Sequence, residues 1–270
     1  MNLTSLNSVQ DSRPHGWPRL LALYRARLRV LLFGAQIVAL ALSPSSYCDG
    51  AQRQQILASI YWATVPQLTA FLTLSTLISV VLIRIVVATA LSYGLSQYAL
   101  GLLVRTLVIE LIPLYAAMFV AVRYCLPGAH RMRERLADLP VNGGPAEEQQ
   151  LLRSELLPRA LAAAFAVQLL VTLSGLLALV LTYLMVYGLS PWGLHAYTHS
   201  VGQVFTLPVS LIFACKTLCF SVAVAIVPMV ASVQRDHRGL YRRSNDISEF
   251  ARLFSVVLTI EVLSLIGNYY

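Results

Sequence analysis

Charged residues are scarce in this sequence: they make up 12% of its 270 residues, where a soluble domain carries about a quarter. With 57% hydrophobic residues and a mean hydropathy of +0.69, that scarcity excludes an ordinary soluble domain and implies an integral membrane protein. Cysteine is scarce too. No pair among Cys48, Cys125, Cys215 and Cys219 combines CxxC spacing with nearby histidines, so zinc and redox chemistry lack a ligand set. Cys215 and Cys219, four residues apart in an apolar run, read as small packing residues. Walker A, GxSxG and GxGxxG patterns are all missing, so the chain has no nucleotide site of its own.

His195 and His199 stand four apart, but no HExxH glutamate lies between them and no third ligand follows, so no metal is expected. They share a loop with Tyr187, Trp192 and Tyr197 and read as part of an interfacial aromatic belt. Asp236 and His237 are adjacent on a basic loop without a nucleophile beside them. Together these absences argue against an intramembrane enzyme and against any cofactor in this chain.

What the sequence does have is long apolar runs. Five of them, at about 65–91, 104–123, 160–187, 204–233 and 250–267, are each long enough to cross a hydrocarbon core of roughly 30 Å as a helix. Before them, residues 1–16 read as a flexible polar lead. Residues 17–42 read as an amphipathic interfacial helix, because Arg19, Arg25, Arg27 and Arg29 share it with many leucines and its uncharged run from Val30 to Leu42 is too short to span. A signal peptide is the alternative for that segment. The fold class expected is all-α, with one membrane domain over 17–270.

The net charge of +8 is concentrated in short segments that flank the apolar runs, a membrane-topology pattern rather than a nucleic-acid surface. Residues 123–159 hold six arginines and 234–243 hold four, whereas 187–203 hold no Lys, Arg, Asp or Glu. The positive-inside rule therefore puts the basic loops and the N-terminus in the cytoplasm and the C-terminus outside. Within the cytoplasmic loop 124–159, breaks at Pro127-Gly128 and Gly143-Gly144-Pro145 predict short surface helices suited to docking a soluble partner. Pro208 and Pro228 predict a kink in the fourth span.

Three blocks of residues carry a family resemblance. In ELIPLYAAMFVAVR, Glu110, Leu111, Pro113, Ala116, Ala117, Ala121 and Arg123 match a signature E-L-G-P-x-x-A-A-x-x-x-A-G-R. Pro158, Arg159 and Ala163 match a later S-P-R-x-x-A-G segment, and Lys216, Thr217 and Phe220 match an I-K-S-x-x-F run. In order and spacing these blocks resemble the MlaE/YrbE permeases, membrane subunits of ABC transporters that work with MCE proteins in bacterial lipid traffic. The sequence departs from the pattern at Ile109, Ile112 and Val122, and an acidic coupling position falls among His130, Arg131, Met132 and Arg133.

The resemblance implies a homodimeric permease in the bacterial inner membrane, with the C-terminus periplasmic. It implies three partners: a cytoplasmic ATPase that binds the ATP, an MCE-domain protein outside, and phospholipid as substrate. Arg123, His130, Arg131, Arg133 and Arg135 would couple to the ATPase. A membrane scaffold that keeps the fold without transporting is the alternative.

A charge near the bilayer centre costs roughly 2.5–3.5 kcal/mol and needs a partner. Arg84, Glu110 and Glu261 are expected at one depth in the outer half, with Arg84 pairing with Glu110 or else Glu261. Lys216 has no partner legible in the sequence. Glu110, with Leu82, Thr89, Tyr93 and Leu111, is expected to border the lipid site, whose binding energy would come from acyl chains at roughly 0.8 kcal/mol per buried methylene.

Overall fold

A computed structural model describes residues 50–137, 156–233 and 246–269. The expected interfacial helix over 17–42, the polar lead and the loop holding Asp236 and His237 lie outside those residues.

Every span is helical because lipid offers no partner for a backbone N–H or C=O. The helices are α1 (Gly50–Ser92), α2 (Ser96–Leu103), α3 (Ile112–Val120), α4 (Leu126–Ala137), α5 (Leu157–Tyr187), α6 (Gly193–Val204), α7 (Leu207–Val233) and α8 (Asp246–Tyr269). Two π-helical segments, π1 (Val104–Leu111) and π2 (Ala121–Cys125), join α2, α3 and α4 into one continuous rod. Among the described residues, five helices are long and apolar enough to cross a membrane, over Arg53–Ser92, Tyr98–Met132, Leu157–Tyr187, Leu207–Met229 and Ile247–Asn268.

The second span corrects the expected break at Pro127-Gly128. In a π turn the bonds run from residue i to i+5, as in Leu126 N–H to the Ala121 carbonyl. The wider turn lets the chain pass into a residue that has no N–H, and Pro127 becomes the second residue of α4 instead of a helix end. Pro113 enters α3 the same way after π1, where Ile112 N–H bonds to Leu107 O. Pro208 is likewise the second residue of α7, past a break at Phe205 and Thr206, so only Pro228 lies inside the fourth span.

Helix α5 is the centre of the bundle, with α1 and α7 as its chief neighbours and the second span beside them. Its buried face is built of small residues, among them Ala160, Ala162, Ala163, Ala166, Ser174 and Ala178. Facing it, the second span offers Ala116, Ala117 and Ala121, all fully buried. Small side chains let helix backbones approach closely, which drives packing where lipid supplies no hydrophobic effect. Phe71 of α1 fills the gap between these helices, its ring 5.5 Å from Tyr115 and 5.1 Å from Phe119.

At the far end of α5, Gly188 takes φ +65° and stops the helix, a conformation that disfavours any side chain. The loop then returns as α6, and Tyr197 buries its ring against Tyr183 and Tyr187. Its hydroxyl donates to Leu179 O at 2.8 Å. Burial first, and Tyr187 second, push that phenol up to about 12, so it stays a donor. Of the two histidines on this helix, His195 is exposed and His199 lies 3.2 Å from Gln203 Nε2.

Candidate functional site

Three ionisable side chains meet inside the bundle, one from each of three spans. Lys216 of α7 contacts Glu110 of π1 through Oε2, and its Nζ donates to Glu261 Oε1 of α8 at 2.9 Å. The lysine side chain is 1% exposed and the carboxylates 14% and 10%. This arrangement fits what a membrane interior demands, since a charge there persists only when paired and hydrogen-bonded.

Backbone chemistry completes the site. Pro113 has no N–H to offer the carbonyl four residues before it, that of Ile109, and Lys216 Nζ donates to that oxygen at 3.2 Å. The proline one turn after Glu110 thus presents an acceptor beside the carboxylate. Phe220, one turn beyond Lys216, places its ring centroid 5.9 Å from the ammonium. The neighbouring polar groups are bonded among themselves: Gln168 Nε2 donates to Ser221 Oγ at 3.0 Å, and Ser221 donates to Thr217 O at 2.8 Å.

The site is not saturated. Glu110 Oε1 and Glu261 Oε2 are buried without a hydrogen-bond partner among the described residues. Two carboxylates also face one ammonium, so the cluster can accept a hydrogen bond or a cationic group from a ligand.

The expected pairing of Arg84 with Glu110 or Glu261 is therefore corrected: Lys216 takes both carboxylates. Depth did not decide it, because Arg84 lies only eight residues, about 12 Å, before Ser92. The helix face did. Along α1 the buried positions run Ala63, Gln67, Phe71, Ser75, Ser79 and Ile83 in steps of four, and Arg84 falls on the exposed stripe with Leu77 and Val81. Among the described residues Arg84 has no ion-pair partner. Lys216 reaches the carboxylates because α7 begins at Leu207, nine residues before it, while the second span begins earlier than its apolar run implies.

The expected lipid-wall residues lie on α1, just past its end, and at the end of π1, where Leu111 follows Glu110. Leu111 and Leu82 are half-buried, Leu82 against the core. Thr89 directs its hydroxyl to Ile85 O at 2.7 Å, and Tyr93 is exposed at the end of α1. Of the coupling candidates, Arg123 and Arg131 are exposed and His130 half-buried on the rod's far end. Arg133 and Arg135 lie on α4.

Sequence reasoning missed the lysine's partners. A usable signal was present: Lys216 is the sole lysine among 20 basic residues, and it stands in an apolar run with no other charge nearby.

The family model described as Permease MlaE matches residues 56–244. That stretch includes Glu110 and Lys216. No curated protein matches the chain.

Proposed function

The chain belongs to the MlaE permease family, and as a multi-pass membrane subunit of an ABC-type transporter with partner subunits, we propose that it moves phospholipid or a related lipid between the inner membrane and the periplasm or outer membrane. A separate ATPase supplies the energy and an MCE-domain protein receives or delivers the lipid outside. As a transporter membrane subunit it is not an enzyme in itself.

The observation that carries this reading is the unsaturated Lys216–Glu110–Glu261 cluster inside a mostly apolar bundle. A lipid headgroup with a hydroxyl or ammonium donor matches its unpartnered carboxylate oxygens, which are buried in this structure, while acyl chains match the apolar side chains around it. Glu110 and the α4 arginines lie on one continuous rod. Motion imposed by an ATPase on α4, where Arg133 and Arg135 lie, would therefore reach the cluster without crossing a loop, with π1 and π2 as the places where the rod can yield.

Two further features support the assembly. Arg84 lies on the lipid-facing stripe of α1 at membrane depth, where burial against a second copy would lower a cost of roughly 2.5–3.5 kcal/mol. The arginine-rich end, containing Arg123, Arg131 and Arg159, is the cytoplasmic one by charge bias.

The test is reconstitution in proteoliposomes with the co-purified partners, following a fluorescent phospholipid after ATP addition. Glu110→Gln should keep the assembly, because Glu261 still pairs with Lys216, yet slow ATP-dependent lipid movement at least about tenfold, the equivalent of ~1.4 kcal/mol. Undiminished movement in Glu110→Gln would remove Glu110 from the site. An intact complex that hydrolyses ATP and moves no lipid would overturn the lipid reading.

A further inference from the structure

The arginine-rich end of the bundle contains a cavity of about 590 Å³ that the ion cluster does not use. Trp62 and Gln67 of α1, Arg123 and Tyr124 of π2, Arg131 of α4 and Arg159 of α5 line it. Among its described lining residues there is no carboxylate. Arg123 and Arg131 make no ion pair among the described residues, and Arg159 Nη1 donates to Gly128 O at 3.2 Å, which fixes the guanidinium at the wall.

A second, independent observation points to a ligand. Gln67 is 7% exposed, and its Oε1 is buried with no hydrogen-bond partner among the described residues. Buried amide oxygens are ordinarily hydrogen-bonded, so an unpartnered one calls for a donor. The cavity thus combines cations suited to a phosphate with Gln67, whose buried amide oxygen would meet a hydroxyl or ammonium group once the side chain turns toward the cavity.

Depth identifies the source of that phosphate. Trp62 stands thirty residues before Ser92, about 45 Å along α1, whereas the hydrocarbon core is roughly 30 Å thick. Allowing for tilt, the cavity lies at headgroup level. On α1 beside it, Leu57, Tyr61, Trp62 and Val65 are all exposed. An apolar flank of this kind borders lipid, and Trp62 is the aromatic residue expected at the interface.

We propose that this cavity is a binding site for the headgroup of an anionic glycerophospholipid from the leaflet at the arginine-rich end, held by Arg123 and Arg131 through its phosphate and by Gln67 through a headgroup donor. The site is separate from the Lys216 cluster, and it does not depend on lipid being the transported cargo. Bound there, the lipid bridges the first, second and third spans at the base of α4.

Trp62 supplies the probe. The sequence has 3 tryptophans, so Trp17→Phe with Trp192→Phe leaves Trp62 as the only one. This protein is reconstituted in phosphatidylcholine bilayers containing phosphatidylglycerol, and fluorescence quenching is compared when one lipid or the other has brominated acyl chains. The expected result is a preference for phosphatidylglycerol at Trp62 of at least about fivefold.

Arg123→Gln with Arg131→Gln should bring the preference to about one. Arg131→Gln alone, at an exposed position, should lower it at least about twofold, and serves where the double variant does not insert. Arg252→Gln removes the same charge from an exposed position near the start of α8, outside the cavity, and should leave the preference unchanged. Three results would overturn the proposal: no preference at Trp62, a preference that survives the double variant, or an equal loss with Arg252→Gln. A preference abolished by inorganic phosphate but not by chloride at equal ionic strength would overturn the lipid source in favour of free phosphate.

Discussion

Lys216→Met should destabilise the protein by about 3–5 kcal/mol, the cost of removing one partner from a buried ion pair. The lysine is the shared partner of Glu110 and Glu261, and it also satisfies the Ile109 carbonyl that Pro113 leaves open. Methionine keeps the apolar volume, so the loss is electrostatic and not a cavity. Two carboxylates would then face each other across a bundle whose surroundings are apolar. Adding Glu110→Gln and Glu261→Gln to Lys216→Met should recover most of the loss, because neutral amides can bond one another without a counterion. Thermal unfolding in detergent, followed by size exclusion, measures both steps. A single variant as stable as the parent would mean that the three groups are not a unit.

Phe71→Ala should cost about 3–5 kcal/mol, the range for removing a fully buried aromatic ring. Phe71 is 0% exposed and packs on both Tyr115 and Phe119. One turn along α1, Ser75 and Tyr115 share a 2.8 Å hydrogen bond that ties the same two helices. Because Tyr115 lies five residues past Glu110, looser packing here would also let the carboxylate move relative to Lys216. The check is the same unfolding assay together with Phe71→Leu, which refills much of the volume and should recover at least about half of the loss. Equal stability of the alanine and leucine variants would contradict the packing argument.

The five spans were legible in the sequence because an apolar run of about 20 residues has few other uses. Their ends were less so. Val104 opens the long apolar run of the second span, yet the helix starts at Ser96 and continues to Ala137, since a π turn disguises the helical course through Pro127. The first span extends back to Gly50, past the polar residues Gln52, Arg53, Gln54 and Gln55 that end its apolar run. Such residues are compatible with a helix that has already left the hydrocarbon.

The ion cluster was half legible. Glu110, Lys216 and Glu261 stood out as charges in apolar runs, but their grouping depends on which face each helix turns inward. Polar residues stand on both sides of helix α1, Gln67, Ser75 and Ser79 on its buried face and Thr69, Thr73 and Thr89 on its exposed one, so no polar stripe told Arg84's face from that of Ile83. The cavity at the arginine-rich end was not legible at all. It assembles residues of the first, second and third spans with Met229 of the fourth, and Gln67 becomes informative only once its burial is known.

The central claim, that this chain is the membrane subunit of an ATP-driven lipid transporter, is tested most directly by purifying the tagged protein from its native membrane in mild detergent. Mass spectrometry would then identify the co-purifying proteins and the bound lipids. The account predicts an ABC ATPase together with phospholipid. A folded protein that brings down no ATPase would contradict it and favour a membrane scaffold that has kept the fold.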